Sequence, residues 1–130
     1  KILHKQVNYK EPKKNNGASS FLKINSSIIG NKLYLNPNLS IKNLSHEFNL
    51  SEGYISQIIN KNSNTNFNDY INSLRVEDAK KMLLNAEYDN YTILAIGLES
   101  GFNSKSSFYS AFRKFTGKTP VEYKKGVRNL

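Results

Sequence analysis

The sequence predicts an all-α fold, and three observations carry that prediction. Apolar residues recur at intervals of three and four, as on one face of a helix. Ser, Thr or Asn stands just ahead of successive apolar runs, where a side-chain oxygen can cap the first free backbone N–H groups. Strand-like alternation of apolar and polar residues is almost absent. The 130 residues suit one domain or two very small subdomains.

Residues 1–20 contain Pro12, a Lys cluster and the turn signal Asn15-Asn16-Gly17, and are expected to form a flexible basic tether. The chain starts with Lys, which suggests a piece of a longer protein. Ordered structure is expected from Phe21, because Phe21, Ile24, Ile28 and Ile29 fall at helical spacing. Pro37, flanked by Asn36 and Asn38, separates that helix from the next. Ser40 then caps a helix with Ile41, Leu44 and Phe48 on one face, and Asn49-Leu50 makes a tight break. Ser51 caps a second helix with Ile55, Ile58 and Ile59 inward, ended by the polar run 61–65.

Asn66, with Asp69 three residues later, opens a long helix to about Asn85 that buries Phe67, Tyr70, Ile71, Leu74, Ala79, Met82 and Leu83. Thr92 caps a helix carrying Ile93, Ile96 and Gly97, and Gly101 stops it in a left-handed turn. Ser104 caps the next, with Phe108, Ala111, Phe112 and Phe115 inward. Thr119-Pro120-Val121-Glu122 combines an N-cap, Pro at the first helical position and Glu at the third. The total is about seven helices.

Two helix pairs repeat. At an offset of 53 residues Ser51 falls on Ser104, Ile55 on Phe108, Ile58 on Ala111, Ile59 on Phe112 and Lys61 on Lys114. Each unit is a helix-turn-helix, over about 40–61 and 92–116, joined by a connecting helix over about 67–85. In such a motif the second helix enters the DNA major groove, and two units on a stiff connector reach segments about 34–36 Å apart.

The outward residues fit that use. Gly53, Ser56, Gln57, Asn60 and Lys61 remain on the first recognition helix; Gln and Asn pair with adenine, and Gly admits close backbone approach. Lys105, Ser106, Tyr109, Ser110, Arg113 and Lys114 remain on the second, where basic groups meet phosphate or guanine and Tyr109 meets a thymine methyl. Both faces lack acids except for Glu52.

Charge points the same way, in blocks. The formal net charge is +9, which favours polyanions as partners. Residues 1–40 carry seven Lys and one Glu (+6), residues 41–102 five basic and eight acidic groups (−3), and residues 103–130 seven basic and one acidic (+6). Base readout by the first unit should therefore rest on uncharged hydrogen bonds, and the second should supply most of the electrostatic attraction. A coding bias towards Lys, Asn and Ile, with Lys simply solvating the surface, would give a similar composition.

Other classes are weaker. Cys is absent, so disulfides, thiolate zinc sites and cysteine nucleophiles are excluded. His4 and His46 are too few and too far apart for a metal cluster, and His46 beside Glu47 lacks a catalytic partner. Asp69, Glu77 and Asp78 are spaced like helix-surface carboxylates. No enzyme, cofactor or metal is expected, and no run reaches the ~18 apolar residues of a membrane span. The alternative is a helical protein-interaction module with basic ends and no catalysis, which leaves the repeated polar faces unexplained. RNA binding lacks an aromatic stacking surface on strands.

A family resemblance rests on particular residues. Gly101-Phe102-Asn103-Ser104-Lys105-Ser106-Ser107-Phe108, then Phe112-Arg113-Lys114-Phe115, Gly117-Lys118-Thr119-Pro120 and Tyr123-Lys124, resemble the C-terminal signature of the AraC-type (AraC/XylS) transcription regulators. Leu39 to Leu84 is similar to that family's first helix-turn-helix and connecting helix, so the likeness covers about 100 of the 130 residues. The run Asn66 to Arg75 resembles members from Bacteroidetes. The resemblance implies a DNA-binding domain over 21–130, with the outward residues named above at the DNA.

As partners it implies double-stranded DNA, RNA polymerase, and a sensor or effector domain upstream of this chain. It also implies a cytoplasmic location, including that of the C-terminal part of a membrane-bound sensor. Two departures stand out. Ser110 replaces a longer polar residue, and Gly97 stands where Ala is usual, at an expected helix cost of about 0.5–1 kcal/mol. Arg75 fits the family pattern and is expected to form an ion pair with Asp78 or Glu77.

Overall fold

The structure, a computed structural model, describes residues 17–128. Among them seven α-helices follow one another: α1 Gly17–Gly30, α2 Ile41–Phe48, α3 Glu52–Ser63, α4 Phe67–Leu84, α5 Ile93–Glu99, α6 Lys105–Thr116 and α7 Pro120–Arg128. Short 3-10 turns lie at Leu33–Leu35 and Ala86–Tyr88. The described residues contain no strand.

Local side-chain chemistry starts the helices. Ser51, Asn66, Thr92 and Ser104 each accept a bond from the backbone N–H three residues on, at 2.8–3.1 Å. Ser40 forms a reciprocal box with Asn43, a shorter side chain in place of the usual Glu or Gln. Thr119 and Glu122 form another, and hydrogen bonding from the Thr119 backbone N–H and then its side chain holds the Glu122 carboxyl below its ordinary value. α2, α3, α5 and α6 stop where the chain turns left-handed, at Asn49, Asn64, Gly101 and Gly117, whereas α4 stops at Asn85 in an extended conformation. At Gly101 the Phe102 N–H reaches the Gly97 carbonyl (3.1 Å) and the Gly101 N–H reaches that of Leu98 (3.1 Å), a Schellman closure.

Two cores form on one connector. Ile24 and Ile28 of α1, Leu44 of α2, Ile55, Ile58 and Ile59 of α3, and Tyr34 fill the first core. Ile96 of α5, Phe102, and Phe108, Ala111 and Phe112 of α6 fill the second. Burying each such Ile or Phe contributes about 1.5–3 kcal/mol. α4 serves both: Phe67, Tyr70 and Ile71 enter the first core, and Val76, Ala79 and Leu83 the second. At 3.6 residues per turn these two sets lie on faces roughly 160° apart. The apolar stripe thus changes sides in mid-helix, and Arg75 stands at the change.

Several expectations need correction. α1 begins at Gly17, so Gly17–Ser20 are helical rather than part of a tether. Its first turn lies against α3, where a Cβ on Gly17 would touch Ile58 and Tyr54. The tether expected over residues 1–16 lies outside the described residues. Ile29 and Phe115 are 45% and 40% exposed, and Leu74 and Met82 are only partly buried. Val76 is buried instead, because the change of face takes it inward.

Gly97 is also misread by propensity alone. A Cβ there would stand 2.4 Å from Cδ2 and 2.7 Å from Cγ of Phe108, which is fully buried. The missing side chain makes room for that ring.

Arg75 makes no ion pair with Asp78 or Glu77. Its Nε donates to the Tyr34 carbonyl (2.6 Å), one terminal nitrogen to the Asn36 carbonyl (2.9 Å) and the other to Asn72 Oδ1 (3.0 Å). Asp78 accepts the Tyr34 hydroxyl (2.8 Å), and Glu77 pairs with Lys80 (3.0 Å). Burial favours neutral groups, and it lowers the Arg75 pKa from its ordinary value.

Candidate nucleic-acid interface

The repeat seen in the sequence is a repeat of structure. α3 and α6 are both 12 residues long, both are capped by Ser, and both end on a left-handed residue, Asn64 or Gly117. Even their last turns match. Ser63 Oγ donates to the Ile59 carbonyl (2.6 Å), and Thr116 Oγ1 to that of Phe112 (2.7 Å). The inward sets correspond in burial, with Ile55, Ile58 and Ile59 at 0, 4 and 0% exposure and Phe108, Ala111 and Phe112 at 0, 6 and 0%.

With both inner faces fixed, the outer faces are fixed too. Gly53, Ser56, Gln57, Asn60 and Lys61 are all exposed on α3. At the same offset stand Ser106, Tyr109, Ser110, Arg113 and Lys114 on α6; Lys105 corresponds to Glu52. All of these are exposed except Tyr109, which is half-buried. Its ring meets Phe108 edge-on at 5.8 Å, and Lys105 Nζ lies 5.4 Å from its centre. Tyr109 is therefore a pre-positioned side chain, which leaves less freedom to lose on binding.

The two helices differ in electrostatics. Glu52 sits in the first turn of α3 and offsets the positive end of the helix dipole. The first turn of α6 has no acid and begins with Lys105. That end is positive twice over and suits a phosphate. Arg113 lies in the last turn of the same helix, so the basic groups flank its polar face.

One predicted contact is already engaged. Lys114 Nζ lies 2.6 Å from Asp69 Oδ2 of α4. Asp69 carries no mark in the sequence beyond its position near the start of α4, since its partner is 45 residues away. Ser110 and Lys114 line a cavity of about 260 Å³ that α4 closes with Asp69 and Asn72. These two residues thus face a groove between helices, on the α4 side of the polar surface. No group of three or more His, Cys, Asp or Glu able to hold a metal occurs among the described residues. Nor is any described helix long and apolar enough to cross a membrane.

Comparison with known proteins bears on both family and fold. Residues 44–126 match the family described as a helix-turn-helix domain. Over 93 residues the chain is 33% identical to an uncharacterized HTH-type transcriptional regulator of Staphylococcus aureus (strain COL), covering 72% of this chain but 12% of that protein. It thus spans about an eighth of that relative's length. The C-terminal domain of the two-component response regulator yesN from Fusobacterium nucleatum is 32% identical, with a TM-score of 0.66, covering 80% of this chain and 98% of that one.

A transcriptional regulator from Chromobacterium violaceum, described among AraC-type DNA-binding domain-containing proteins, shares the fold. Its TM-score is 0.66 at 23% identity, over 83% and 94% of the two chains. The resemblance to Bacteroidetes members gains no support: matched curated relatives include proteins of Staphylococcus and Streptococcus.

Proposed function

Because the chain belongs to the AraC-type helix-turn-helix family of DNA-binding transcription regulators, we propose that α3 and α6 enter successive major-groove segments on one face of duplex DNA. The observation that carries this reading is the pair of matched outer faces, of equal length and equally capped, in one chain. Inward residues hold each helix rigid while its polar stripe stays open to solvent. Such a stripe is what base readout needs.

The division of labour follows from chemistry. On α3, Gln57 and Asn60 offer paired amide bonds to adenine, Ser56 adapts to either base, and Gly53 lets the backbone come close. On α6, Arg113 suits a guanine edge, Tyr109 a thymine methyl, and Lys105 and Ser106 a phosphate at the helix start. Lys61 supplies a phosphate contact at the end of α3. Lys114 joins only by leaving Asp69, and Ser110 contributes from the groove side. The reading needs no catalytic step.

The matched staphylococcal regulator is far longer than this chain. A sensor or effector domain elsewhere in the protein, RNA polymerase as a further partner and a cytoplasmic site of action extend the same reading. Salt tests it directly. Duplex affinity, followed by fluorescence anisotropy, should fall as salt rises, each phosphate neutralised adding a log–log slope of about −0.9. Absent binding at low salt, or binding indifferent to salt, would refute the reading.

A further inference from the structure

The surroundings of Arg75 suggest a part in recognition for a residue well removed from the polar faces. Its guanidinium fills a junction where three parts of the chain meet. It donates to the carbonyls of Tyr34 and Asn36, in and just after the 3-10 turn belonging to the first core. It also lies over the ring of Phe102, 5.8 Å from the centre, and Phe102 belongs to the second core. Gly101, the residue before Phe102, presses against the same turn. A Cβ there would stand 2.4 Å from the Tyr34 carbonyl oxygen, 2.9 Å from Arg75 Nε and 3.0 Å from Leu35 Cα. Tyr34 closes the cluster by donating its hydroxyl to Asp78, one turn further along α4.

The joint matters because, among the described residues, it ties the first core's turn directly to the second core, beside the Lys114–Asp69 pair that links α6 to the start of α4. The two cores are separate, and α4 packs them on nearly opposite faces. A helix alone fixes distance along its axis, but it leaves each unit free to rock about its own contact. The guanidinium is a planar fork with donors in fixed directions. Held by two carbonyls of one unit and lying over a ring of the other, it removes that freedom.

We propose that Arg75 is a positioning residue which fixes the relative orientation of α3 and α6, and thereby the one half-site spacing the chain accepts. The structural part stands on the junction itself; the consequence for spacing rests on the DNA-binding reading. A rigid pair of readers gains affinity only when both half-sites lie at the matching separation, whereas a loose pair loses affinity and tolerates several.

The test uses the whole 130-residue chain, which has no Cys of its own. Spin labels are placed at exposed positions outside the proposed interface. Lys42→Cys with Glu99→Cys reports across the joint, and Lys42→Cys with Asn62→Cys reports within the first unit. Arg75→Lys keeps charge and length but loses the fork, and Gly101→Ala disturbs the joint from the other side. Both should broaden the distance distribution across the joint and leave the one within the unit unchanged. An unchanged distribution across the joint refutes the proposal. So does broadening of both, which would make Arg75 a residue of the fold only.

In-vitro selection of duplexes then reads the consequence. The unsubstituted chain should enrich two half-motifs at one spacing. Arg75→Lys should enrich the same half-motifs at scattered spacings, with affinity for the original spacing about 10- to 100-fold lower. An identical spacing preference overturns the proposal. If the unsubstituted chain enriches no duplex, the DNA reading fails, while the label distances still decide the joint.

Discussion

Replacing Gly97 with Ala should destabilise the protein, although helix propensity alone says the reverse. Ala in place of Gly inside a helix is worth about 0.5–1 kcal/mol in favour of the variant. Against this, the new methyl would stand 2.4, 2.7 and 3.0 Å from three carbons of the Phe108 ring. That ring has little room to retreat. It is fully buried, with Phe102 at 5.2 Å and Phe112 at 5.8 Å between ring centres. Overpacking of this kind costs about 1–3 kcal/mol, so the net expectation is a loss of up to about 2.5 kcal/mol, and about 1.2 kcal/mol at mid-range.

At about 4 °C per kcal/mol for a domain of this size, Tm should fall by about 5 °C at mid-range and by about 10 °C at most. The assay is thermal unfolding followed by circular dichroism, with Phe108→Leu and the double variant completing a cycle. The smaller Leu should absorb much of the strain, so the double variant should be more stable than the sum of the single effects predicts. A Gly97→Ala variant melting at or above the parent temperature would refute the packing argument.

Three other outcomes are expected. Arg113→Ala should cost about 1–3 kcal/mol of duplex affinity and relax preference at one base position, and Gln57→Ala should alter the selected consensus; an unchanged consensus from both would remove base readout from these positions. Asp69→Asn should release Lys114 and steepen the log–log salt slope by up to about 1, and an unaltered slope would mean that Lys114 stays away from phosphate. Burial, with the hydrogen bond and charge of Asp78, pushes Tyr34 up to about 12, and burial does the same to Tyr70. Because the folded state favours the neutral phenols, their contribution is complete below pH 10 and lost as pH rises from about 10 towards 12. Chemical denaturation across that range should show the decline, and Tyr34→Phe should make it shallower.

Much of the fold was legible in single residues. Ser51, Asn66, Thr92 and Ser104 identify helix starts because a cap bonds to an N–H only three positions on. The outward residues of α3 and α6 were legible for a related reason. Once Ile55, Ile58 and Ile59, or Phe108, Ala111 and Phe112, are known to point inward, helix geometry leaves the others outside. The buried side of α4 was harder to read. Leu74 and Met82 were expected inside but are only partly buried, and Val76 was missed, because two cores claim opposite faces.

The sequence by itself determined the helices from α2 onward, most of their caps and, apart from Tyr109 and Phe115, the inner and outer sides of α3 and α6, since each follows from interactions within one or two turns. Only the tertiary structure decided what the long-range partners do. Arg75 meets the carbonyl of a residue 41 positions away, and Lys114 meets a carboxylate 45 positions away. Gly97 owes its place to a ring on the next helix. Such contacts leave no periodic trace, because their distances are set by how helices pack rather than by how any one helix winds.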